Sequence, residues 1–249
     1  QKPSSAASDV YKRQVLISCK TFDLKQALND LSAVKGKGII IPFLNGIKHF
    51  QMLDKTFGAE NVMGGLAIIS STLHQDGSIE HFGNLRQNIT FGNRDNKKNN
   101  ILLPFYEICK KSKFDVTLSE QINLDLWKKW VFISAVAGAT TLFGCSLGDI
   151  VKHDFGKKIL SDLYEECRLI ADSYGYIIED KEAKNIVKNI TIPGSPIKAS
   201  MQRDVEKNSY TEHEEIFGDL ISKANVNKIE CPILMSCYIK MKVYQETLN

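Results

Sequence analysis

The chain has 249 residues, of which 43% are hydrophobic and 24% are charged, and its formal net charge is +3 at pH 7. This composition is typical of a soluble globular protein, and the length allows one large domain or two modest ones. The small net charge argues against a nucleic-acid-binding arm or a polybasic membrane anchor, and no apolar run is long enough to span a bilayer.

Six cysteines are scattered along the chain without a C-x-x-C pair. The sequence therefore predicts neither a disulfide scaffold nor a zinc site, and a reducing cytoplasm is the expected location. The five histidines lack the spacing of metal ligands, so no metal site is predicted.

The first fourteen residues show no hydrophobic periodicity and precede an apolar run that begins at Val15. They lack the apolar core of a signal peptide. We interpret residues 1–14 as a non-native tail that resembles sequencing-adaptor read-through, with a natural linker as the alternative. The fold prediction therefore starts at Val15.

The segment after the tail predicts a βαβ unit. An apolar run at 15–19 is followed by a segment of helical spacing and then by a second apolar run at 39–44. This order implies parallel strands, and ligands of such sheets bind beyond the carboxyl ends of the strands. Lys20 and Asn45 lie at those ends, although Asn45 with Gly46 is equally typical of an ordinary turn.

The middle of the chain predicts further strands and short helices. In order, the patterns predict a helix at 48–57, a strand at 62–70, an antiparallel pair formed by 78–82 and 88–91, a helix at 101–111 and a strand at 115–118. Ser119 is the expected N-cap of the helix that follows.

The segment 121–144 predicts a long helix that packs one broad apolar face against a core. Lys128 points away from that face and is expected to be a solvated charge. Lys129 lies at the border between core and surface, where an ammonium is partly desolvated yet still protonated, as a proton donor requires. The alternative is a lysine whose stem lies along apolar surface while its charge reaches water.

From residue 120 onward the sequence predicts only helices. The later ones are expected at 154–174, 179–189 and 231–245, and the two prolines of segment 191–196 predict a break between the second and the third.

Three polar residues in this region are candidates for a site. Ser200 precedes a helical segment, where its hydroxyl serves either as an N-cap or as a ligand-binding group. Thr211 to Glu214 have the pattern of a capping box, with Glu214 as the capping acid. Glu212 projects onto the buried face of that helix, either to meet a partner in a cleft or to complement the helix dipole.

Common nucleotide-binding and catalytic motifs are absent from the sequence. It contains no G-x-G-x-x-G, no phosphate-binding P-loop, no H-E-x-x-H pair and no G-x-S-x-G elbow. The residues by themselves therefore predict an α/β plus all-α protein with a few candidate polar groups.

Several spaced segments together resemble the ketopantoate reductase (2-dehydropantoate 2-reductase) family. They are SCKTFDLKQAL around Lys20, IPFLNGI around Asn45, FGAENVMGGLAIISSTL from Phe57, WKKW at 127–130, SMQRD from Ser200, and Thr211-Glu212. The resemblance covers the chain from about Val15 to its C-terminus, and its specificity comes from the spaced combination.

The resemblance implies that NADPH reduces 2-dehydropantoate to pantoate, a step of pantothenate and coenzyme A biosynthesis. Lys129 would donate the proton to the developing alkoxide, for which an ammonium with an ordinary pKa of about 10.4 is suited. Glu212 would hold the substrate hydroxyl and orient the lysine, and Ser200 would bind the substrate carboxylate. Asn45 would contact the substrate or the nicotinamide, and Lys20 would line the cofactor cleft.

The resemblance also implies two domains. Residues 15–119 would form an incomplete, Rossmann-type NADP-binding domain, and residues 120–249 a helical domain that binds substrate and carries the catalytic residue. A complete family member begins with a Gly-rich nucleotide-binding strand, turn and helix, so the chain is expected to be an N-terminally truncated fragment that is inactive alone. Helical domains of this sort often mediate dimers, so a homodimer is expected, with no nucleic acid or membrane as partner.

Three positions depart from the family pattern. Ile133, Ala137 and Ile197 stand where family members often carry asparagines that help to bind the polar substrate. One alternative is therefore a related reductase of another 2-keto acid. The other is a non-catalytic helical oligomerisation module.

Overall fold

The computed structural model describes residues 14–31, 38–74, 76–81, 87–95 and 99–248. The predicted tail up to residue 13 and the predicted strand end at Phe82 lie outside these residues. The chain forms two compact units, Gln1–Leu44 with His49–Leu126 and Asn45–Lys48 with Trp127–Asn249. All the strands of the described residues belong to the first unit.

The predicted βαβ order and its parallel pairing are confirmed. Strand β1 (Gln14–Ile17) pairs in parallel with β2 (Ile39–Pro42), and helix α1 (Leu24–Asp30) lies between them in the sequence. Strand β2 is buried along its length, whereas Leu16 in β1 is 49% exposed. Strand β1 is therefore less completely buried than β2, although its sequence is also apolar.

The remaining strands are β3 (Gly64–Ile68), β4 (Ser71–Leu73), β5 (Ile79–His81), β6 (Asn88–Gly92) and β7 (Asp115–Leu118). Strand β6 lies in the centre of a three-stranded sheet, antiparallel to β3 and parallel to β7. Strands β4 and β5 form a separate antiparallel pair.

The predicted pairing of 78–82 with 88–91 is wrong. Strand β5 pairs with β4, which the sequence patterns did not predict, and β6 is paired on both sides by β3 and β7. Alternation identifies a strand and its buried face, but the choice of partner depends on register and on the rest of the sheet.

Two helices complete the first unit, α2 (His49–Phe57) and α3 (Leu103–Cys109). Their positions agree with the predicted helices at 48–57 and 101–111. The sheet side chains pack into a small core that includes Ile39, Ile41, Met63, Phe91 and Leu102.

The helices of the second unit are α4 (Ile122–Phe143), α5 (Leu147–Ile150), α6 (Gly156–Ser173), α7 (Asp180–Ile190), α8 (Ser200–Glu206), α9 (Asp219–Val226) and α10 (Pro232–Glu246), with a π-helical turn at Glu214–Gly218. The first five residues of α4 belong to the first unit. The long predicted helices and the break before Ser200 are confirmed, whereas the sequence patterns did not identify the short helix α5.

Helices α4, α6 and α10 share one apolar core. On α4 the side chains of Trp130, Val131 and Ala135 are buried almost completely. Gly138 lets α4 approach its neighbours closely, since a Cβ at this position would lie 3.0 Å from the sulfur of Cys237. Among the residues that the structure describes, none of the helices has the length and apolar character needed to cross a membrane.

Candidate functional site

Lys128 and Lys129 are neighbours on α4, but they occupy different environments. Lys128 donates from Nζ to Oε2 of Glu182 in α7 at 2.7 Å, and its side chain is 25% exposed. The sequence predicted a solvated charge at Lys128, and this is wrong because an acid 54 residues later lies beside it. Lys128 therefore links helices α4 and α7 through an ion pair.

Lys129 lies at the border of the core and has a perturbed ammonium. Burial lowers the pKa of Lys129 to about 8, and the negative charge of Glu212 opposes part of that change. With this pKa, about nine tenths of Lys129 carries a proton at pH 7. The structure thus contains the partly desolvated, protonated lysine that the helix periodicity predicts, while its catalytic role stays a prediction.

Glu212 is the acid whose negative charge raises the pKa of Lys129, and it is only 5% exposed. Its Oε2 accepts a hydrogen bond from Nδ2 of Asn45 at 3.1 Å. A buried carboxylate needs such partners, because removal from water is costly for a charge. The structure therefore brings together three residues that the sequence singled out separately, although Asn45 and Glu212 are 167 positions apart.

Gly46 explains how the loop that carries Asn45 reaches Glu212. Its φ is +71°, a conformation that favours glycine, and a Cβ at this position would lie 2.8 Å from the backbone oxygen of Glu215. The Asn45–Gly46 loop is thus packed directly against the backbone next to Glu212. The loop therefore makes specific contacts with the segment that carries Glu212, beyond those of the ordinary turn that the sequence also allowed.

A π-helical turn at Glu214–Gly218 begins two residues after Glu212. Turns of this type are rare and are frequently found at functional sites. The carbonyl of Ile216 within the turn accepts the indole N–H of Trp130 at 2.9 Å and the hydroxyl of Ser134 at 3.3 Å. Since Trp130 follows Lys129 on α4, these bonds fix the turn after Glu212 to the helix that carries Lys129.

Two acids, Glu215 within the turn and Asp219 directly after it, are also partly desolvated. Burial raises the pKa of Glu215, and it raises the pKa of Asp219 as well. The positive charge of Lys48 opposes both changes. Several carboxyl groups near Glu212 are therefore partly removed from solvent.

The predicted capping box at Thr211 to Glu214 is wrong. Thr211 shares a hydrogen bond of 2.9 Å with Nδ1 of His213, and Glu214 accepts from the Tyr238 hydroxyl at 3.1 Å and from Lys242 at 3.0 Å. Glu214 is thus bound to α10 and does not turn back to its own backbone. His213 is 3% exposed, and burial lowers its pKa, so this buried imidazole is a group that the sequence patterns did not single out.

The two other predicted site residues are Ser200 in the second unit and Lys20 in the first. Ser200 is the first residue of α8 and is exposed, and Ala199 occupies the N-cap position, which was one of the two roles that the sequence left open for Ser200. Within the described residues, no hydrogen bond joins Ser200 to Lys129 or Glu212. Lys20 follows β1 in the first unit, where its carbonyl accepts the amide N–H of Asp23 at 3.0 Å. The roles proposed for Ser200 and Lys20 stay predictions.

The group formed by Lys129, Glu212 and Asn45 has the properties of a proton-transfer site. An ammonium with a pKa near neutral pH gives up its proton more readily than an ordinary lysine. The negative charge of Glu212 favours the protonated form of the lysine, and a carboxylate is able to accept a hydrogen bond from a hydroxyl group. In the described part of the chain, no cluster of three or more histidine, cysteine, aspartate or glutamate residues could hold a metal ion.

Sequence comparison identifies two segments of a known family in this chain. Residues 121–245 match the family described as ketopantoate reductase PanE/ApbA, C terminal, and residues 4–96 match ketopantoate reductase PanE/ApbA. An uncharacterized oxidoreductase, YkpB of Bacillus subtilis (strain 168), is 31% identical over 232 residues, which cover 93% of this chain and 76% of YkpB.

Solved structures share the fold. D-mandelate dehydrogenase in complex with NADH matches with a TM-score of 0.84 at 18% identity, over 95% of this chain and 80% of that protein. The dimeric ketopantoate reductase from Staphylococcus aureus matches with a TM-score of 0.80 at 18% identity, over 95% of this chain and 78% of that one. The predicted fold class is confirmed: a Rossmann-like N-terminal domain is followed by a helical C-terminal domain.

Proposed function

The chain belongs to the ketopantoate reductase PanE/ApbA family of oxidoreductases, and we propose that the protein reduces 2-dehydropantoate to pantoate with NADPH. The observation that supports this proposal is the group of Lys129, Glu212 and Asn45, in which burial lowers the pKa of Lys129 to about 8. A 2-oxo acid needs a proton donor of this kind when its ketone becomes an alkoxide.

In the proposed reaction, Lys129 donates a hydrogen bond to the ketone oxygen and then transfers its proton to that oxygen as negative charge develops. The charge of the ammonium stabilises the alkoxide before the transfer, which lowers the barrier. Glu212 accepts the hydrogen bond of the substrate hydroxyl and keeps Lys129 protonated in the resting site. Asn45 holds the carboxylate of Glu212 in place through the bond at 3.1 Å.

The described residues fit one part of a nicotinamide nucleotide. Lys20 lies beyond the carboxyl end of β1, in a parallel pair of strands, where ligands of α/β sheets bind, and an ammonium is suited to a phosphate group. We assign Lys20 to the cofactor, which supplies a hydride when bound. Ser200, exposed at the start of α8, is assigned to the substrate carboxylate.

A related 2-keto acid is the second candidate substrate. Ile133 stands one turn after Lys129 on α4 and is only partly buried, so the side chain next to the ammonium is apolar. A hydroxyl placed against such a surface loses its hydrogen bonds to water without replacement. The small-molecule partner is thus a 2-keto acid, and we also propose a second copy of the chain as partner, as the dimeric Staphylococcus aureus protein suggests.

The neighbouring lysines offer a matched pair of variants for the test. The full-length gene product should consume NADPH in the presence of 2-dehydropantoate, and Lys129→Met should lower kcat by about 100-fold or more, because the proton donor is lost. Lys128→Met removes the same charge one residue away, and it should keep most of the turnover. A panel of 2-keto acids with apolar side chains, assayed in parallel, ranks the two candidate substrates.

Retained turnover in Lys129→Met, with its fold verified by circular dichroism, would remove the lysine from the mechanism. Equal losses in the Lys128 and Lys129 variants would point to a shared structural role. A full-length protein that reduces no 2-keto acid at all would favour a non-catalytic module.

A further inference from the structure

His213 is a buried imidazole that follows Glu212 directly and that the proposed reaction does not use. It is 3% exposed, and the centroid of its ring lies 6.0 Å from that of the Tyr238 ring in α10. The side chain of His213 therefore faces α10, whereas the charge of Glu212 acts on Lys129 of α4. A polar ring is costly to remove from water, so it needs partners inside the protein.

The ring of His213 contacts residues on both sides of Glu212. Its Nδ1 shares a hydrogen bond of 2.9 Å with the hydroxyl of Thr211, the residue before Glu212. Its Nε2 is buried and lies 3.6 Å from Oε1 of Glu214, which is too long for a hydrogen bond but within range of an electrostatic contact. One side chain thus links positions 211 and 214, and Glu212 lies on the short stretch of backbone between them.

These links matter because Glu212 lies where regular structure has not yet begun. Residues 209–212 form neither helix nor strand, and His213 is the first helical residue. The carbonyl of Glu212 accepts the amide N–H of Ile216 at 3.0 Å, which fixes the backbone on that side. The backbone before Glu212 has no helical ladder, so its position depends on contacts such as those of Thr211.

Both ends of the linked stretch are attached to α10. Glu214 accepts from the Tyr238 hydroxyl at 3.1 Å and from Nζ of Lys242 at 3.0 Å. The amide N–H of Thr211 donates to Oε1 of Gln245 at 3.4 Å. The imidazole joins these two attachments, so this stretch of backbone is held to α10 at both ends.

The groups around the ring keep His213 mostly neutral at pH 7. Burial lowers the pKa of His213, and the positive charge of Lys242 also lowers it, whereas the negative charge of Glu214 and the backbone of Thr211 oppose these changes. Tyr238 also faces the ring and is uncharged, because burial raises its pKa. Since the pKa of the imidazole lies below its ordinary value of 6.5, replacement of the ring removes little charge at pH 7 and above.

We propose that His213 is a positioning residue that holds the carboxylate of Glu212 close to Lys129. The inference deepens the proposed function and rests on it for the effect on the rate of reduction, whereas its geometric part depends on no substrate. Without the ring, the backbone before Glu212 loses its link to Glu214. The carboxylate then moves away from the ammonium whose charged form it favours.

The titration of Lys129 reports the position of Glu212, because the carboxylate raises the pKa of the lysine. Carbon-13 nuclear magnetic resonance of the labelled lysine Cε should give a midpoint near pH 8 in the wild-type chain and a lower midpoint in His213→Leu, which removes both ring nitrogens. His213→Asn should return the midpoint toward the wild-type value, since its amide can share a hydrogen bond with Thr211 in place of Nδ1. In the full-length protein, kcat should fall about tenfold or more in His213→Leu and recover in part in His213→Asn.

Two further variants separate positioning from loss of packing. Ile190→Ala is the control, because Ile190 is 2% exposed in the core of the second unit, and its truncation should destabilise the chain without moving the Lys129 midpoint. Thr211→Val removes the other partner of the hydrogen bond and keeps the shape of the side chain, so it applies even where His213→Leu folds poorly. It should lower the midpoint, and the double variant should lower it no further than His213→Leu alone, because both changes break one link.

An unchanged or raised Lys129 midpoint in Thr211→Val, or in a folded His213→Leu chain, overturns the positioning role. A His213→Asn midpoint as low as that of His213→Leu, or an equal fall in Ile190→Ala, overturns it as well. A full-length His213→Leu protein that keeps its kcat removes the ring from the reaction, even where the midpoint falls. Because the titration uses no substrate, a full-length protein that reduces no 2-keto acid overturns the proposed function, while a lowered midpoint still supports the positioning of Glu212.

Discussion

Replacement of Glu212 by Gln tests the electrostatic coupling that underlies the proposed site. The substitution removes one buried negative charge and keeps the shape of the side chain. Asn45 can still donate its hydrogen bond to the amide oxygen of Gln, so the loop should stay in place. The main effect should therefore fall on Lys129.

The structure gives the direction of that effect. Burial lowers the pKa of Lys129 from 10.5 to about 8, and Glu212 raises it toward its ordinary value. A nearby opposite charge typically changes a pKa by about 1 to 3. Without it, the pKa of Lys129 should fall below 8, so that a smaller fraction of the lysine is protonated at neutral pH.

Nuclear magnetic resonance of chain labelled with carbon-13 at lysine Cε measures this titration directly. Lys129 should titrate near pH 8 in the wild-type chain and at least about one pH unit lower in Glu212→Gln. The resonance is assigned by its loss in Lys129→Met. The measurement needs no substrate and no turnover.

Two results would refute the reasoning. A wild-type Lys129 that titrates near 10.5 would show that its ammonium is fully hydrated, contrary to its burial. An unchanged or raised pKa in Glu212→Gln would show that the carboxylate does not act on the lysine. In the enzyme assay, the same titration predicts that the rate of reduction falls above pH 8, as the proton donor loses its proton.

Three further substitutions test the packing around the site by urea denaturation. Gly46→Ala should destabilise the second unit by about 1 to 3 kcal/mol, since the new Cβ meets the backbone of Glu215 at a positive φ; an unchanged midpoint would contradict the close approach. Trp130→Phe should cost about 1 to 3 kcal/mol, because the carbonyl of Ile216 loses its stronger donor. Glu166→Ala should cost about 1 kcal/mol, because its carboxylate accepts two amide N–H groups in the first turn of α10, and a neutral result would discount this cap.

Much of the fold could be predicted from the sequence, because long periodic segments determine their own structure. The helix at 122–143 and the parallel pairing of the first two strands follow from local spacing and order. Strand partners in the remaining sheets did not follow, because 88–92 is bordered by two strands at once and alternation identifies no neighbour. The partner of strand 79–81 was predicted wrongly because the choice of partner depends on residues outside the strand itself.

The candidate site shows the same division. Helix periodicity placed Lys129 at the edge of the core, but it could not reveal that Lys128 meets Glu182, because that contact joins distant segments. The pattern from Thr211 to Glu214 is that of a capping box, yet Tyr238 and Lys242 compete for Glu214, and a π-helical turn forms in its place. In both cases, contacts between residues that are distant in the sequence determine the environment of the side chain.

The π-helical turn after Glu212 has a genetic consequence. Such a turn spans one residue more than an α-helical turn, so deletion of a single codon between 214 and 218 would convert it into regular helix. Everything before the deletion would then rotate by about 100° relative to α9, and the carboxylate of Glu212 would swing out of reach of its amide and ammonium neighbours. The loss of one codon would therefore separate the residues of the proposed site without removing Lys129, Glu212 or Asn45 from the sequence.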